Sequence, residues 1–203
     1  KDPQAREHAL RQLLAGADRA GRLMEQLLRL ARLDPLSSLP DSGTVDLADL
    51  AREAAAGMLD DALRGGRSLD MEGGDRPVPV RGDRDLLAVA LRNLIDNALR
   101  HIPQGGHVTV GVGSADGGRD GSVELWVRDD GPGVPADELP RLGERFHRGR
   151  DTRAEGSGLG LAIVRRIAQL HGAVAEFHNA ARGGFIARIT WPAGDMDYPA
   201  RDI

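Results

Sequence analysis

Asn93-Leu-Ile-Asp-Asn-Ala-Leu-Arg-His101 is the stretch on which the fold turns. At about 100° per residue, Asn93, Asn97, Arg100 and His101 share one helical stripe roughly 100° wide. Leu91, Leu94, Ile95, Ala98 and Ile102 occupy the opposite side, so a polar line of amides, guanidinium and imidazole rides on a helix whose other face is core. Asp83 stands ahead of the apolar run as its N-cap, and the helix is expected to reach His101. Asparagine is a poor helix former, so two of them four positions apart in mid-helix favour a ligand-facing role. Their neutral amide oxygens are hard donors of the kind that hold Mg²⁺ together with phosphate. The plainer reading is a solvated polar face, and this segment alone leaves both open.

Outward from this helix the pattern alternates between strand and helix. Upstream, Thr44 to Asp46 reads as a short strand and Leu47 to Leu63 as a helix. Gly65-Gly66 and Gly73-Gly74 bracket a strand at Ser68 to Met71, with Val78 to Arg81 expected as its partner. Downstream, Pro103-Gln-Gly-Gly is a turn, and His107 to Gly113 with Ser122 to Arg128 alternate as a β-hairpin. Residues 130–157 have no regular period, and a loop of that length in a compact domain is usually functional. A helix over Leu159 to Leu170 and strands at Val174 to Phe177 and Phe185 to Trp191 follow; the polar tail from residue 193 is expected to be disordered.

At the other end, Leu10, Leu13, Ala17, Ala20, Met24, Leu27 and Ala31 alternate steps of three and four. This a/d seam predicts one long helix over residues 3–34, and Leu14, Leu23, Leu28 and Leu30 widen its apolar face to suit a helical bundle. Pro35 stops it. Residues 35–43 read as a linker, residues 44–192 as the main domain and residues 193–203 as a tail.

Composition narrows the field. The chain has 203 residues, no cysteine and a net charge of −4. Disulfide frameworks, thiolate zinc sites and cysteine nucleophiles are excluded, and the charge argues against a dedicated nucleic-acid binder. No apolar run approaches a membrane span. The chain opens at Lys1 rather than Met, so an excised piece of a longer protein is expected. Aromatics are 3% of the chain, so Leu, Val, Ile and Ala must fill the core, while the 27 glycines have to be judged by where they cluster.

Two clusters matter. Asp129-Asp130-Gly131-Pro132-Gly133-Val134 ends a strand; an aspartate there can accept a hydrogen bond from a ring amino group, and the glycines let backbone approach a flat ligand. The alternative is an ordinary type II turn led by Pro132. Gly156-Ser157-Gly158-Leu159-Gly160-Leu161 opens a helix, where bare N–H groups and the helix dipole favour phosphate. No lysine follows, so this is not a P-loop. Between them lies Glu144-Arg-Phe-His-Arg148. Phe146 reads as an anchor for a mobile segment, and Arg148, Arg150 and Arg153 as possible phosphate partners.

Taken in order, Asn93/Asn97, Asp129-x-Gly131-x-Gly133, Phe146 and Gly156-x-Gly158-x-Gly160 resemble the N, G1, F and G2 boxes of the Bergerat (GHKL) ATP-binding domain. More narrowly the chain resembles the catalytic core of a bacterial sensor histidine kinase. The phrases DRAGRLMEQLLRLARLD and GSGLGLAIVRRIAQLHG are similar to the QseC-like branch. The resemblance implies an α+β fold, a two-layer α/β sandwich preceded by one long bundle helix. It makes residues 1–34 the second helix of the dimerisation and phosphotransfer domain.

For the site, the resemblance implies ATP and Mg²⁺ as cofactors. Asp129 would accept the adenine amino group, so that ATP is preferred over GTP; Gly131, Gly133 and Val134 would pass beside the base. Asn97 would ligate Mg²⁺ with Asn93 assisting. Arg100, His101 and Arg148 would contact phosphates, Phe146 would sit in a lid over 131–157, and Gly156, Ser157, Gly158, Leu159, Gly160 and Leu161 would cradle the phosphates. The implied partners are the chain's own first dimerisation helix, a second copy and a response regulator. The implied location is the cytoplasmic side of a bacterial inner membrane, reached through upstream segments.

Two departures matter. The related gyrase and mismatch-repair ATPases carry a water-activating glutamate at the position held here by Asn93. The family's phosphoacceptor histidine, followed by an acidic residue and a proline, has no match: His8 precedes Ala-Leu-Arg-Gln. ATP binding without phosphorylation in cis is therefore expected. A GHKL ATPase or anti-sigma-type serine kinase, and a non-enzymatic docking module, are the competing readings.

Overall fold

The computed structural model describes residues 43–115, 121–144, 158–181 and 183–193. The chain separates into units 1–37 and 38–203, and every described residue belongs to the second. The expected helix over 3–34, nearly all of the linker and the tail lie outside the described residues.

The elements run β1 (Gly43–Asp46), α1 (Leu47–Arg64), β2 (Ser68–Gly73), β3 (Pro79–Gly82), α2 (Arg84–His101), β4 (His107–Ser114), β5 (Val123–Asp129), a 3-10 turn (Leu139–Arg141), α3 (Gly160–Leu170), β6 (Val174–Asn179) and β7 (Phe185–Trp191). β1 and β3 form a two-stranded ribbon; the main sheet has the order β2-β4-β5-β7-β6. β2 runs parallel to β4, and the other neighbours in that sheet are antiparallel. This is the helix-on-sheet sandwich the resemblance implies.

The core follows from the two periodicities. Val108, Val110 and Val112 of β4, Val123, Leu125 and Val127 of β5, and Phe185, Ala187, Ile189 and Trp191 of β7 are buried at every second position. Against them lie Leu87, Leu91, Leu94, Ile95 and Ala98 of α2 and Ile163, Val164 and Ile167 of α3. Each fully buried Leu or Ile contributes roughly 1.5–3 kcal/mol relative to exposure. The apolar side of α2 is thus as read from sequence, and Asp83 is its N-cap: its side chain accepts from Leu86 N–H at 3.0 Å. Ile102, extended ahead of Pro103, ends the helix. The Arg67 guanidinium donates from Nε and Nη2, both at 3.1 Å, to the Ile102 carbonyl, placing a cation where the dipole is negative.

One expected pairing is corrected. β3 does not partner β2; it pairs antiparallel with β1, and β2 lies parallel beside β4. The reason is Asp46. Its Oδ1 accepts from Ala48 N–H at 2.9 Å, capping α1, and from Val78 N–H at 2.8 Å, while Leu47 N–H donates to the Val78 carbonyl at 2.9 Å. One carboxylate thus starts a helix and ties down the strand leading into β3. Gly73 and Gly74, at φ +75° and +79°, turn the chain out of β2 before a hairpin can close.

Gly184, in the turn before β7, has φ +90°, and a Cβ there would lie 1.9 Å from the Asp129 carbonyl oxygen. Gly184→Ala is expected to destabilise the protein by at least about 1–3 kcal/mol, read from urea denaturation midpoints at unchanged m-value.

Candidate functional site

The site assembles around α2, which runs beside two glycine-bearing segments. Near its middle, Asn93 faces the start of α3: a Cβ on Gly160 would lie 3.2 Å from Asn93 Oδ1. Asn93 Nδ2 donates back to the Val89 carbonyl at 2.8 Å, which turns the amide oxygen toward Gly160. Asn97, one turn on, is half-buried, and Arg100 and His101 are exposed at the C-terminal end. Arg100 pairs with Asp96 at 2.9 Å along the same helix.

At that end of α2 lies the second segment. Asp129, the last residue of β5, is 5% exposed. Its Oδ1 accepts from Gly131 N–H at 2.9 Å and Phe185 N–H at 3.2 Å; Oδ2 takes no hydrogen bond among the described residues. Burial pushes this carboxyl above the ordinary carboxylate value, while the two N–H donors and the nearby His101 pull it back. Gly131 is needed for room: a Cβ would lie 2.9 Å from Asp129 Oδ1 and 3.2 Å from Ile102 Cγ2.

Gly133 has φ +72°, in the left-handed region that glycine enters without a side-chain clash. Val134 N–H donates at 2.8 Å to Asn179 Oδ1, whose Nδ2 donates at 2.7 Å to the Val134 carbonyl. The end of β6 therefore clamps this loop. Asp130 anchors its start, accepting from His107 N–H at 2.8 Å and donating its own N–H to the His107 carbonyl at 3.2 Å.

The second cluster is partly described. Gly158 has φ +69°, Leu159 is buried at 1% exposure, Gly160 begins α3 and Leu161 is half-buried. Leu159 is the N-cap but makes no side-chain capping bond. Phe146, Arg148, Gly156 and Ser157, with Arg150 and Arg153, lie outside the described residues. Asn179, Arg67 and the anchoring role of Asp130 escaped the sequence reading. Asn179 sits at a strand end with no local signature, and its contact crosses 45 positions. Asp130 carried a visible signal, the doubled aspartate, but no partner.

With this geometry in place, likeness to known proteins can be weighed. A family profile described as "Histidine kinase-, DNA gyrase B-, and HSP90-like ATPase" matches residues 82–195. The chain belongs to this family. The match begins at Gly82, beside the α2 cap, and takes in both glycine clusters. The chain is also 44% identical over 190 residues to the sensor protein QseC of Escherichia coli strain K12, covering 94% of this chain and 40% of that protein. It therefore spans well under half the length of such relatives. Among solved structures, the cytoplasmic segment of histidine kinase QseC is 34% identical with a TM-score of 0.59, covering 86% of this chain and 93% of that one. Full-length ShkA in complex with AMPPNP is 27% identical with a TM-score of 0.73, covering 92% and 38%. Sensor histidine kinases are thus among the relatives this chain is similar to. Among the described residues no helix is long and apolar enough to cross a membrane.

The buried carboxyl has a measurable consequence. Its folded-state value lies above that of the unfolded chain, so its contribution to stability is complete at low pH and is lost as pH rises through the folded value. At neutral pH the ionised group is a net cost. Asp129→Asn keeps an oxygen for the Gly131 and Phe185 N–H groups, so the nucleotide-free variant should unfold at or above the wild-type midpoint at about pH 7.5.

Proposed function

We propose that this chain is the catalytic ATP-binding core of a two-component sensor histidine kinase, which binds Mg-ATP and passes its γ-phosphoryl group to a histidine outside the chain. The observation that carries the reading is Asp129: a buried acceptor fixed through Oδ1 by two backbone N–H groups, with glycine-bared backbone beside it and the asparagine stripe of α2 alongside. Its remaining oxygen would accept the adenine amino group, whereas guanine would oppose it with a carbonyl. Gly131, Gly133 and Val134 would flank the base on the loop held by Asn179.

Among the described residues no three His, Asp or Glu side chains gather as a metal site. A cation here would draw on amide oxygens and phosphates, and the donor set fits Mg²⁺: Asn97 would be the ligand and Asn93 its assistant. When bound, Mg²⁺ would neutralise charge on the phosphates. Gly158 and Gly160, at the α3 N-terminus, would present backbone N–H groups to the phosphates. Gly156, Ser157, Leu159 and Leu161 would complete that cradle, and Arg100, His101 and Arg148 would add charge, with Phe146 anchoring the lid. Phosphoryl transfer depends chiefly on such positioning and charge neutralisation. With Asn93 rather than a carboxylate in the stripe, the site has no evident base to activate water. ShkA, a relative solved in complex with AMPPNP, supports a nucleotide as the ligand.

On this reading residues 1–34 are the second helix of a dimerisation domain. They join through residues 35–43 to the catalytic domain at 44–192, with residues 193–203 as a tail. The whole protein would be a homodimer at a bacterial inner membrane with this portion in the cytoplasm, and a response-regulator aspartate would be the final acceptor.

Titration calorimetry with Mg-ATP tests the site. Wild type should bind ATP in preference to GTP, and Asp129→Asn should weaken ATP binding by roughly 10–100-fold, since a donor then faces the adenine amino group. Unchanged affinity would sink the adenine assignment. Supplied in trans with an assembled first-helix fragment carrying a histidine-acidic-proline motif, the chain should label that histidine from γ-labelled ATP. Hydrolysis by the chain alone should be slow, and Asn93→Ala should alter it no further than it alters binding; rapid turnover would point to an ATPase instead.

A further inference from the structure

His171 closes α3 and is 4% exposed, yet it belongs to none of the nucleotide motifs. Both ring nitrogens are committed. Nε2 accepts from Asp83 N–H at 3.0 Å, and Nδ1 meets the Ile167 carbonyl at 2.7 Å. A carbonyl accepts and an N–H donates, so the ring is the neutral tautomer with its proton on Nδ1. The ring also packs on β3: a Cβ on Gly82 would lie 2.5 Å from His171 Cδ2. The residue therefore ties the C-terminal end of α3 to the backbone of the residue that caps α2.

The placement gives this bond leverage. α2 and α3 pack against one another through their apolar faces, and Asp83 N–H meets His171 at one end of the pair while Asn93 faces Gly160 toward the other. From Asp83 to Asn93 is about 15 Å of helix and from Gly160 to His171 about 16 Å, at 1.5 Å per residue. Two antiparallel helices pinned at matching distances cannot slide past one another without breaking one contact. The bond at the far end therefore adds to the apolar packing in setting where the α3 N-terminus stands against the asparagine stripe.

We propose that His171 is a positioning residue for the nucleotide site: as the neutral Nδ1–H tautomer it locks the register of α3 against α2, and protonation of its Nε2 releases that lock. The inference rests on the nucleotide-site reading above. Chemically, a proton on Nε2 would face the Asp83 N–H, donor against donor. Among the described residues Asp83 is the charged group that acts on the ring; α3 offers it the Ile167 carbonyl and β3 offers Gly82, neither of which titrates. The Asp83 carboxylate favours the protonated ring, but burial prevails and holds His171 below the ordinary histidine value. A folded-state value below the unfolded one means this contribution is complete above the unfolded value of 6.5 and is lost as pH falls toward and through the folded one.

The test uses the full chain and two variants. His171→Gln can accept from Asp83 N–H and donate to the Ile167 carbonyl without titrating; His171→Phe fills the space and leaves both partners unbonded. Dissociation constants for Mg-ATP are measured from about pH 7.5 to about pH 5.5, with thermal midpoints in parallel. His171→Phe should weaken binding on the order of tenfold at the upper pH, and His171→Gln should bind within about threefold of wild type. On acidification wild type should lose more affinity than His171→Gln. The nucleotide's own titration is common to both proteins, so the difference isolates the ring. Parallel profiles for wild type and His171→Gln would overturn the inference while leaving the nucleotide reading intact, and they decide the matter even if His171→Phe fails to fold. Absence of Mg-ATP binding by wild type at about pH 7.5 would overturn the nucleotide reading itself, and this inference with it.

Discussion

A single carboxylate at the end of a central strand constrains everything built around it. Asp129 ends a strand flanked by β4 and β7, and its Oδ1 takes the Gly131 N–H of the loop and the Phe185 N–H, the first of β7. Around it, side chains have been removed wherever backbone must pass: Gly131 beside the carboxylate, and Gly184 against its own carbonyl. An asparagine would keep an oxygen for both N–H groups at lower cost to stability. That an acid occupies so dry a position, with burial opposing its ionisation, is the mark of a site in which stability is traded for recognition.

From that fixed point the helix α2 carries the arrangement outward. Its apolar side is sealed onto the sheet, and its two ends are held by groups from elsewhere in the fold, Arg67 on the Ile102 carbonyl and His171 on the Asp83 N–H. The stripe from Asn93 to His101 is therefore as rigid as the core beneath it. The neighbouring loop is held less deeply, by Asn179 and Asp130 at its edges. A rigid polar rail beside a surface loop suits a site that must fix one end of a ligand while closing over the other.

What could be read from the residues alone divides along a physical line. Patterns that depend on neighbours in sequence were legible: the Asp83 cap, the two faces of α2, the β4–β5 pairing and the glycine clusters, in which Gly133 and Gly158 take positive φ. Contacts that depend on distant partners were not. The position of β3 is settled by Asp46 reaching across 32 residues to Val78 N–H, and no local pattern distinguishes that from a hairpin with β2. Asn179 and His171 act across 45 and 88 positions. His171 was visible only as part of a familiar phrase, because a buried imidazole with two backbone partners has the same local sequence as an exposed one. The roles proposed for Asn93, Asn97 and the glycine clusters come from their order along the chain, which no single motif would have supplied.

The parallel seam between β2 and β4 has a consequence for how the molecule comes together. Antiparallel neighbours joined by short connections, β4 with β5 and β6 with β7, close small loops and can form early. β2 can join β4 only after the intervening β3 and the whole of α2 have been laid down and docked, so its loop-closure entropy is spent before any strand contact is gained. The β5–β7 seam closes a longer stretch still, joining Arg128 to Ile186 across α3 and β6, so the two hairpin-like pairs are expected to form first and the long-range seams on either side of β4–β5 later. Until then β2 is an open edge, and it exposes Asp70 and Glu72. Charge on such an edge discourages another chain from pairing there, so a slow seam of the fold carries its own protection against aggregation.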